Sequence, residues 1–600
     1  MKTAKKTALL LCCILALAAC RKDESTGDGN DPIAPNTNDT TQTESSDLET
    51  FDVALDNTPL VETETIDSED DDFWENSDFA NVVKITYNGD SATVENAIEG
   101  ITIEQTGANI AVVSTVKKVE YILSGQSSDG SFAIESDNKF KLTLNGVSLT
   151  SSTTAPINSS CSKRMYLHAT DGTVNSFTDA AESDAKACVY HKGNLVLSGS
   201  GSLKITANKK QGLTSNKGYV RFRANTNTEI VDNAGNAVKA GEGITVSGGV
   251  INISVTADAA KGFSSDGYVV IDGGRTTIIT SGGGVYDEDE SDVSGCAGIK
   301  ADSILIMNGG ELALKSTGAG GKCINIDKRL IINGGTVRAI TTGTEYVYGS
   351  YDTSAKAIKA DSLLAINGGS VKVRATGGEG SEGLESKDTL RINGGTVEIS
   401  TYDDCMNATT HIEINGGSVY CYSSSNDALD SNGTIALNGG TVVASGTQTP
   451  EGSFDCDQNR FAITGGTIVG VGGDASTPTE SACTQPAIVY GTQASANTVF
   501  NLATSDGTHI LSYKVPRSYN QMTLLVSSPS LQKGNSMLLT TGGTVTGGTT
   551  WHGLTTGGTL ENGTTATSLT LSKMVTTQNT SGGGPNGGDN HGGGGPGGRP

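Results

Sequence analysis

A Gly-Gly pair recurs at one place in nine strand–turn–strand units, and this recurrence limits the fold more than any other feature of the chain. The units run from GITVSGGVINIS (243–254) through YVVIDGGRTTII (268–279), SILIMNGGELAL (303–314) and RLIINGGTVRAI (329–340) to LLAINGGSVKVRA (363–375). TLRINGGTVEIS (389–400), HIEINGGSVYCY (411–422), TIALNGGTVVAS (434–445) and RFAITGGTIVGV (460–471) complete the set. The pairs begin at 248, 273, 309, 334, 368, 394, 416, 439 and 465, a period near 24 residues with two insertions of about ten. A fixed period of that length marks a solenoid. Apolar residues alternate on both sides of each pair, as in Leu364/Ile366 and Val371/Val373, which is the period of a strand with one buried face. Glycine supplies the bend because it reaches positive φ without steric cost. A single coil cannot bury its apolar face, but stacked coils can. These features predict an all-β parallel β-helix. Helix-forming or Leu-rich stretches would mark a horseshoe, and four-stranded blades a propeller; neither pattern is present.

Six hundred residues exceed one ordinary core, but a cylinder that lengthens coil by coil escapes the limit. The net charge of −25 excludes nucleic-acid partners and suits a secreted protein that meets cations. Residues 1–20 read as a leader: Lys2, Lys5 and Lys6 precede the apolar run ALLLCCILALAA (8–19), which is too short for an ordinary membrane span. The run ends LAAC, which resembles a lipobox with Cys20 as the acylated residue, so the membrane is expected to be met through a lipid anchor only. The charged RKDE after Cys20 resembles a surface-export signal of diderm bacteria. Together these predict an outer-membrane, cell-surface lipoprotein.

Residues 21–80 are acidic and Ser/Thr-rich, as in SEDDD (68–72), and read as a disordered tether. An N-terminal β cap is expected over 81–120, the β-helix over 121–475 and a small C-terminal β domain over 476–575. The Gly-rich 576–600 reads as a disordered tail. The eight cysteines beyond the leader follow no zinc spacing and read as small packing residues, with stacked disulfides as the alternative.

The succession NGVSLTSSTTAPI, DGTVNSF, VYHKGNLVLSGSGSLKITA and QGLTSNKG ahead of the Gly-Gly coils, with GTQASANTVFNLATSDGTHILSYKVPRSYNQMTLLVSS after them, carries a family resemblance. Over roughly 120–545 the chain resembles bacterial extracellular carbohydrate-binding β-helix proteins of the clostridial cellulose- and pectin-binding type. That resemblance implies a right-handed parallel β-helix, bound calcium, and a shape akin to calcium-dependent pectate lyases without established catalysis.

A second repeated element, small–apolar–polar–small, precedes most Gly-Gly pairs, as in GIKA (298–301), AIKA (357–360) and ALDS (428–431). The resemblance implies Asp-Gly-Ile-Lys here, its Asp serving calcium. This chain departs from that pattern: Lys261, Lys300, Lys322, Lys356 and Lys359 occupy the middle coils. Glu382, Glu385, Asp403, Asp404, Asp427, Asp430, Asp455 and Asp457 occupy the later ones. Stacked about 4.8 Å apart, such carboxylates repel by roughly 3–4 kcal/mol at an effective dielectric of 20. Calcium, a hard ion taking six to eight oxygens, suits Asp403, Asp404, Asp427, Asp430, Asp455 and Asp457; a solvated acidic face is the alternative. The lysines read as partners for the carboxylates of an acidic polysaccharide, as a general base for a lyase, or as plain solubilising positions. No His or Arg recurs beside them. The insertions 281–295 and 342–356 bring Tyr286, Tyr346, Tyr348 and Tyr351 over the same edge, either to stack on sugar rings or to form a lid. The chain is thus read as a non-catalytic, calcium-containing polysaccharide-binding protein, with a calcium-dependent lyase and an adhesive spacer as alternatives.

Overall fold

The computed structural model describes residues 46–96 and 98–580. The leader, Cys20, the first part of the acidic segment and the Gly-rich tail from 581 lie outside the described residues.

Each coil contributes three strands, and like strands stack in parallel, in register, to form three ladders. In one coil the third-ladder strand Ile358–Ala360 leads into the first-ladder strand Leu363–Ile366, and the Gly-Gly turn leads into the second-ladder strand Ser370–Ala375. The first two ladders belong to one 31-stranded sheet and the third is a sheet of fifteen strands. The small–apolar–polar–small element is this third strand. Alternation sends Leu305, Leu330, Leu364, Leu390 and Ile412 inward as one continuous column. Burial of that size is worth roughly 1.5–3 kcal/mol per side chain. The second glycine of each pair carries the positive φ, +81° at Gly369, where a Cβ would lie 2.5 Å from the Gly335 carbonyl oxygen. The residue before the pair supplies a feature the period alone did not suggest. Asn308, Asn333, Asn367, Asn393, Asn415 and Asn438 stack, each amide donating to the oxygen of the preceding one at 2.7–2.8 Å.

Antiparallel pairs close both ends. Ala92–Glu95 pairs with Asn81–Asn88, and Ile101–Thr106 with Ala108–Ser114. Parallel stacking already begins with Asn81–Asn88 on Val119–Ser127, so the expected cap region is partly coil. At the far end Tyr519–Ser527 runs antiparallel to Thr467–Gly472, and a six-stranded antiparallel sheet encloses a second core around Phe500, Leu511, Tyr513 and Leu539. The eight cysteines are free and buried, as packing residues.

The acidic segment departs from the tether expected through residue 80. From Asp47 to Glu75 it is an extended strap laid across the first two ladders, against the order of the coils. Asp47 meets Lys372 (2.6 Å), Asp52 meets Lys315 (2.7 Å), Asp56 meets Arg275 (2.8 Å) and Glu64 meets Arg223 (2.7 Å). Asp70 then meets Arg221 (2.6 Å) and Asp72 meets Arg164 (2.7 Å). Phe51 and Phe73 are buried; Arg338 and Arg374 sit 5.4 and 5.5 Å from the Phe51 ring centre, and Arg223 sits 4.2 Å from that of Phe73. Composition alone leaves such a segment without a core; here the core and the counter-charges belong to coils far along the chain.

Candidate functional site

The third ladder stacks its outward positions as the repeat predicts. Ser264, Lys300, Asn325, Lys359, Glu385, Asn407, Asp430 and Asp455 form one column of successive register partners. One position class before it come Lys261, Lys322, Lys356, Glu382, Asp404 and Asp427. The column is basic, then acidic, along the axis.

The lysines are not a free cationic surface. Lys356 is enclosed, with Nζ 2.6 Å from Glu382 Oε1 and 3.3 Å from Glu385 Oε1. Burial works against the Glu385 carboxylate, yet Lys356 and Lys387 outweigh it and hold its pKa below the usual value. Burial pushes Glu382 up to about 7, against the pull of Lys356 and with repulsion from Glu385. The pair therefore keeps one firm anion beside the ammonium. Lys322 is buried too and donates to Thr353 Oγ1 (2.7 Å) and the Gly320 carbonyl (3.3 Å). Burial, then the charges of Lys359 and Lys356, bring its pKa down to about 7. Lys261 bonds to the Ala259 carbonyl and to Ser294 (3.0 Å). Lys300 pairs with Asp327, and Lys359 with Asp361 at 2.8 Å. Of the lysines expected to meet a glycan, Lys322 and Lys356 have their ammonium groups inside the edge, bound to protein oxygens.

The acidic residues separate into groups. Asn407 Nδ2 donates to Asp404 Oδ2 (3.2 Å) and Asp430 Oδ2 (2.9 Å), while Asp404 Oδ1 accepts the Asp427 amide (3.1 Å). Burial, followed by neighbouring carboxylates, raises Asp404 well above its ordinary pKa and Asp430 to about 8. Burial likewise raises Asp427, against the Gly452 amide that it accepts. Asp403 turns instead to the Gly380 amide (2.6 Å) and Asn426. Asp455 accepts from Ser476 (3.3 Å), and Asp457 lies beyond its strand in the following turn. As a test of the implied calcium, the donor chemistry is that of a hard-ion site, but the geometry does not converge. Among the described residues no group of three or more His, Cys, Asp or Glu could hold an ion. The Asn407 amide bridges Asp404 and Asp430.

The two insertions form short hairpins, Val285–Asp287 with Asp292–Ser294 and Tyr346–Tyr348 with Tyr351–Thr353. They bring three tyrosines into one cluster. The Tyr286 ring stacks on Tyr348, with centres 4.4 Å apart and planes 13° apart, and Tyr351 lies 5.1 Å from Tyr286. Tyr348 is 50% and Tyr351 39% exposed. Tyr346 packs against the base of the first insertion and the coil turn, where a Cβ at Gly284 would lie 2.5 Å from its ring and one at Gly320 3.1 Å from its Cβ. It belongs to the lid and not to the exposed cluster. Sequence reading missed the strap's basic partners, because their spacing matches nothing local; the surplus of outward Arg and Lys on the second ladder was the available signal.

A curated relative from Acetivibrio thermocellus, described as a carbohydrate-binding domain-containing protein, is 28% identical over 144 residues, 22% of this chain. This chain spans about half (48%) of that relative's length. A solved polysaccharide lyase-like protein from C. thermocellum, as its gadolinium derivative, aligns at 22% identity with a TM-score of 0.28, covering 44% of this chain and 95% of that one. The profile of a family described as carbohydrate-binding domain-containing protein matches residues 106–377 and 298–428, together more than half of the 600 residues. On that coverage, the chain belongs to the carbohydrate-binding domain-containing protein family.

Proposed function

We propose that this protein binds polysaccharide without cleaving it, through the tyrosine cluster on the two hairpins above the third ladder. The observation that carries the reading is the stacking of Tyr286, Tyr348 and Tyr351 with two rings exposed. Exposed aromatic faces offer apolar area beside a polar tip, which matches the C–H face and hydroxyl rim of a sugar. Lys300 and Lys359, the ladder lysines paired with flanking Asp327 and Asp361, favour an acidic or pectic glycan when its carboxylates exchange with those aspartates; a cellulosic glycan would need only the rings. Calcium, on this reading, would be held by Asp404, Asp427 and Asp430 only after their side chains turn toward one another, since as placed they do not converge. Acylation at Cys20 would hold the protein on the outer membrane at the cell surface.

Calorimetric titration with cellotetraose and tetragalacturonate tests the reading. Replacing both Tyr348 and Tyr351 by Ala should weaken binding at least tenfold, about 1.4 kcal/mol. Unchanged affinity in that double variant refutes it. A second reading, a polysaccharide lyase, draws on Lys322, the ladder lysine held near neutrality and so competent as a base. It requires the Thr353 lid to open, and it would show as ultraviolet absorbance of an unsaturated uronate, lost in Lys322→Met.

A further inference from the structure

Where the strap crosses the turn between the first and second ladders it does not lie flat. It arches over a cavity of about 700 Å³, within the roughly 300–1,000 Å³ range of small-molecule sites. The roof comes from the strap, through Glu62, Glu64 and Trp74, and the floor from the coils, through His168, Arg223 and Asn225. This place is on a different face from the tyrosine hairpins.

The chemistry of the wall is specific. Arg223 is held by two carboxylates: Nε and Nη2 bond both oxygens of Glu64 (2.7–3.1 Å), and Nη1 and Nη2 bond Glu75 (2.9 and 3.2 Å). Glu62 uses Oε2 for the Gly249 and Asn225 amides, and its Oε1 has no hydrogen-bond partner among the described residues. Asp171 also lines the cavity. Among the lining residues four carboxylates (Glu62, Glu64, Glu75, Asp171) therefore stand against one guanidinium; Lys141, 3.5 Å over the Trp74 ring, is offset by Glu120 at 3.1 Å. His168 adds no charge at neutral pH, since burial and then Lys141 hold its pKa near about 4. Trp74 lines the same cavity, edge-on to His168 at 5.3 Å. Its indole Nε1 is buried and has no acceptor among the described residues. That N–H is closed off from the cavity, whereas the unpartnered Glu62 Oε1 is free to accept from a ligand hydroxyl.

We infer that this cavity is a second saccharide site, taking a neutral sugar unit that lies against Trp74 and whose hydroxyls donate to the surrounding carboxylates, Glu62 Oε1 first. A uronate is disfavoured by the same wall, because its carboxylate would meet four anions and a guanidinium already paired with two of them. Only the class of ligand rests on the carbohydrate-binding reading; the location and the selectivity for neutral sugars do not depend on the tyrosine cluster. Because roof and floor come from segments about 90 to 190 residues apart, the site exists only while the strap is docked.

The chain has two tryptophans, so Trp551→Phe in the full-length protein leaves Trp74 as its only indole reporter. Cellotetraose should change Trp74 emission saturably, and tetragalacturonate should not. Ser200→Phe, which crowds the cavity from its floor and leaves the strap's ion pairs intact, should remove the response while the far-ultraviolet dichroism is unchanged. Tyr348→Ala with Tyr351→Ala should leave it in place. If calorimetry records cellotetraose binding while Trp74 emission stays constant, the second site is refuted and the carbohydrate reading survives. If tetragalacturonate is the ligand that moves Trp74, the charge argument is refuted. If neither sugar binds the chain at all, both readings fall together.

Discussion

Replacing Lys356 by Met should damage the fold in a way whose size and pH dependence follow from the geometry. At 2.6 and 3.3 Å the ammonium attracts Glu382 and Glu385 by about 6 and about 5 kcal/mol at an effective dielectric of 20. Desolvation opposes this by several kcal/mol per ion, so the intact cluster contributes little net stability. Removing one partner is different, because it leaves charge buried without compensation, at about 3–5 kcal/mol. Glu385 retains Lys387, so the loss falls on Glu382. That carboxyl already sits near 7, and without Lys356 it takes up a proton at still higher pH. Each further unit of pKa is worth about 1.4 kcal/mol, and a proton relieves the charge once the pKa passes the solution pH, so the variant should be nearly tolerated at pH 5 and lose about 1.4 kcal/mol at pH 8, the one unit above 7. Urea denaturation of the full chain, followed by far-ultraviolet dichroism at both pH values, measures this. Lys356→Met with Glu382→Gln should recover most of the loss at pH 8. A single variant within 1 kcal/mol of the wild type at pH 8, or a double variant no better than the single, would refute the reasoning.

Asn367→Ala removes one rung from the amide stack and with it two hydrogen bonds, to Asn333 and from Asn393. About 1–2 kcal/mol should be lost, read as a shift in the urea midpoint, and Asn367→Asp should be no better because it cannot donate. Lys322 has its folded pKa lowered from 10.5 to about 7, so the unfolded chain binds the extra proton between those values. Its contribution to stability is full above about 10.5 and is lost as pH falls through 7. Lys322→Met should therefore flatten the rise in melting temperature between pH 7 and 10 and be the more stable protein at pH 7. Millimolar calcium should raise the melting temperature of the wild type and not that of Asp404→Asn with Asp427→Asn; an equal response in both places any bound calcium elsewhere.

The stacking of the coils was legible because a register that repeats every two dozen residues writes each ladder position into the sequence at a constant offset. Ser264, Lys300, Asn325 and Lys359 could be superposed on paper before any coordinates. The hairpin tyrosines were legible for a related reason, since an insertion between two fixed positions must leave the cylinder at a known edge. What the repeat could not convey was where a side chain's charge is used. Lys356 reads like Lys359 in sequence, yet one meets two glutamates in the next coil and the other meets its own following turn. The strap was illegible for a stronger reason. Asp52 and Lys315 are 263 positions apart, and nothing in an acidic run declares that its cations lie in coils not yet translated.

The strap also changes what kind of object the solenoid is. A plain stack of coils touches only nearest neighbours, so it can fray from either end one turn at a time. Here a single thread is laced over successive turns, from the coil of Lys372 back to that of Arg164. Lifting any interior turn requires unpicking the lace on both sides of it, which raises cooperativity along the barrel. Traction on residue 46 would act on the Asp47 stitch first and then on Asp52 and Asp56 in turn, giving a zipper-like release in a force trace while the coils beneath remain stacked.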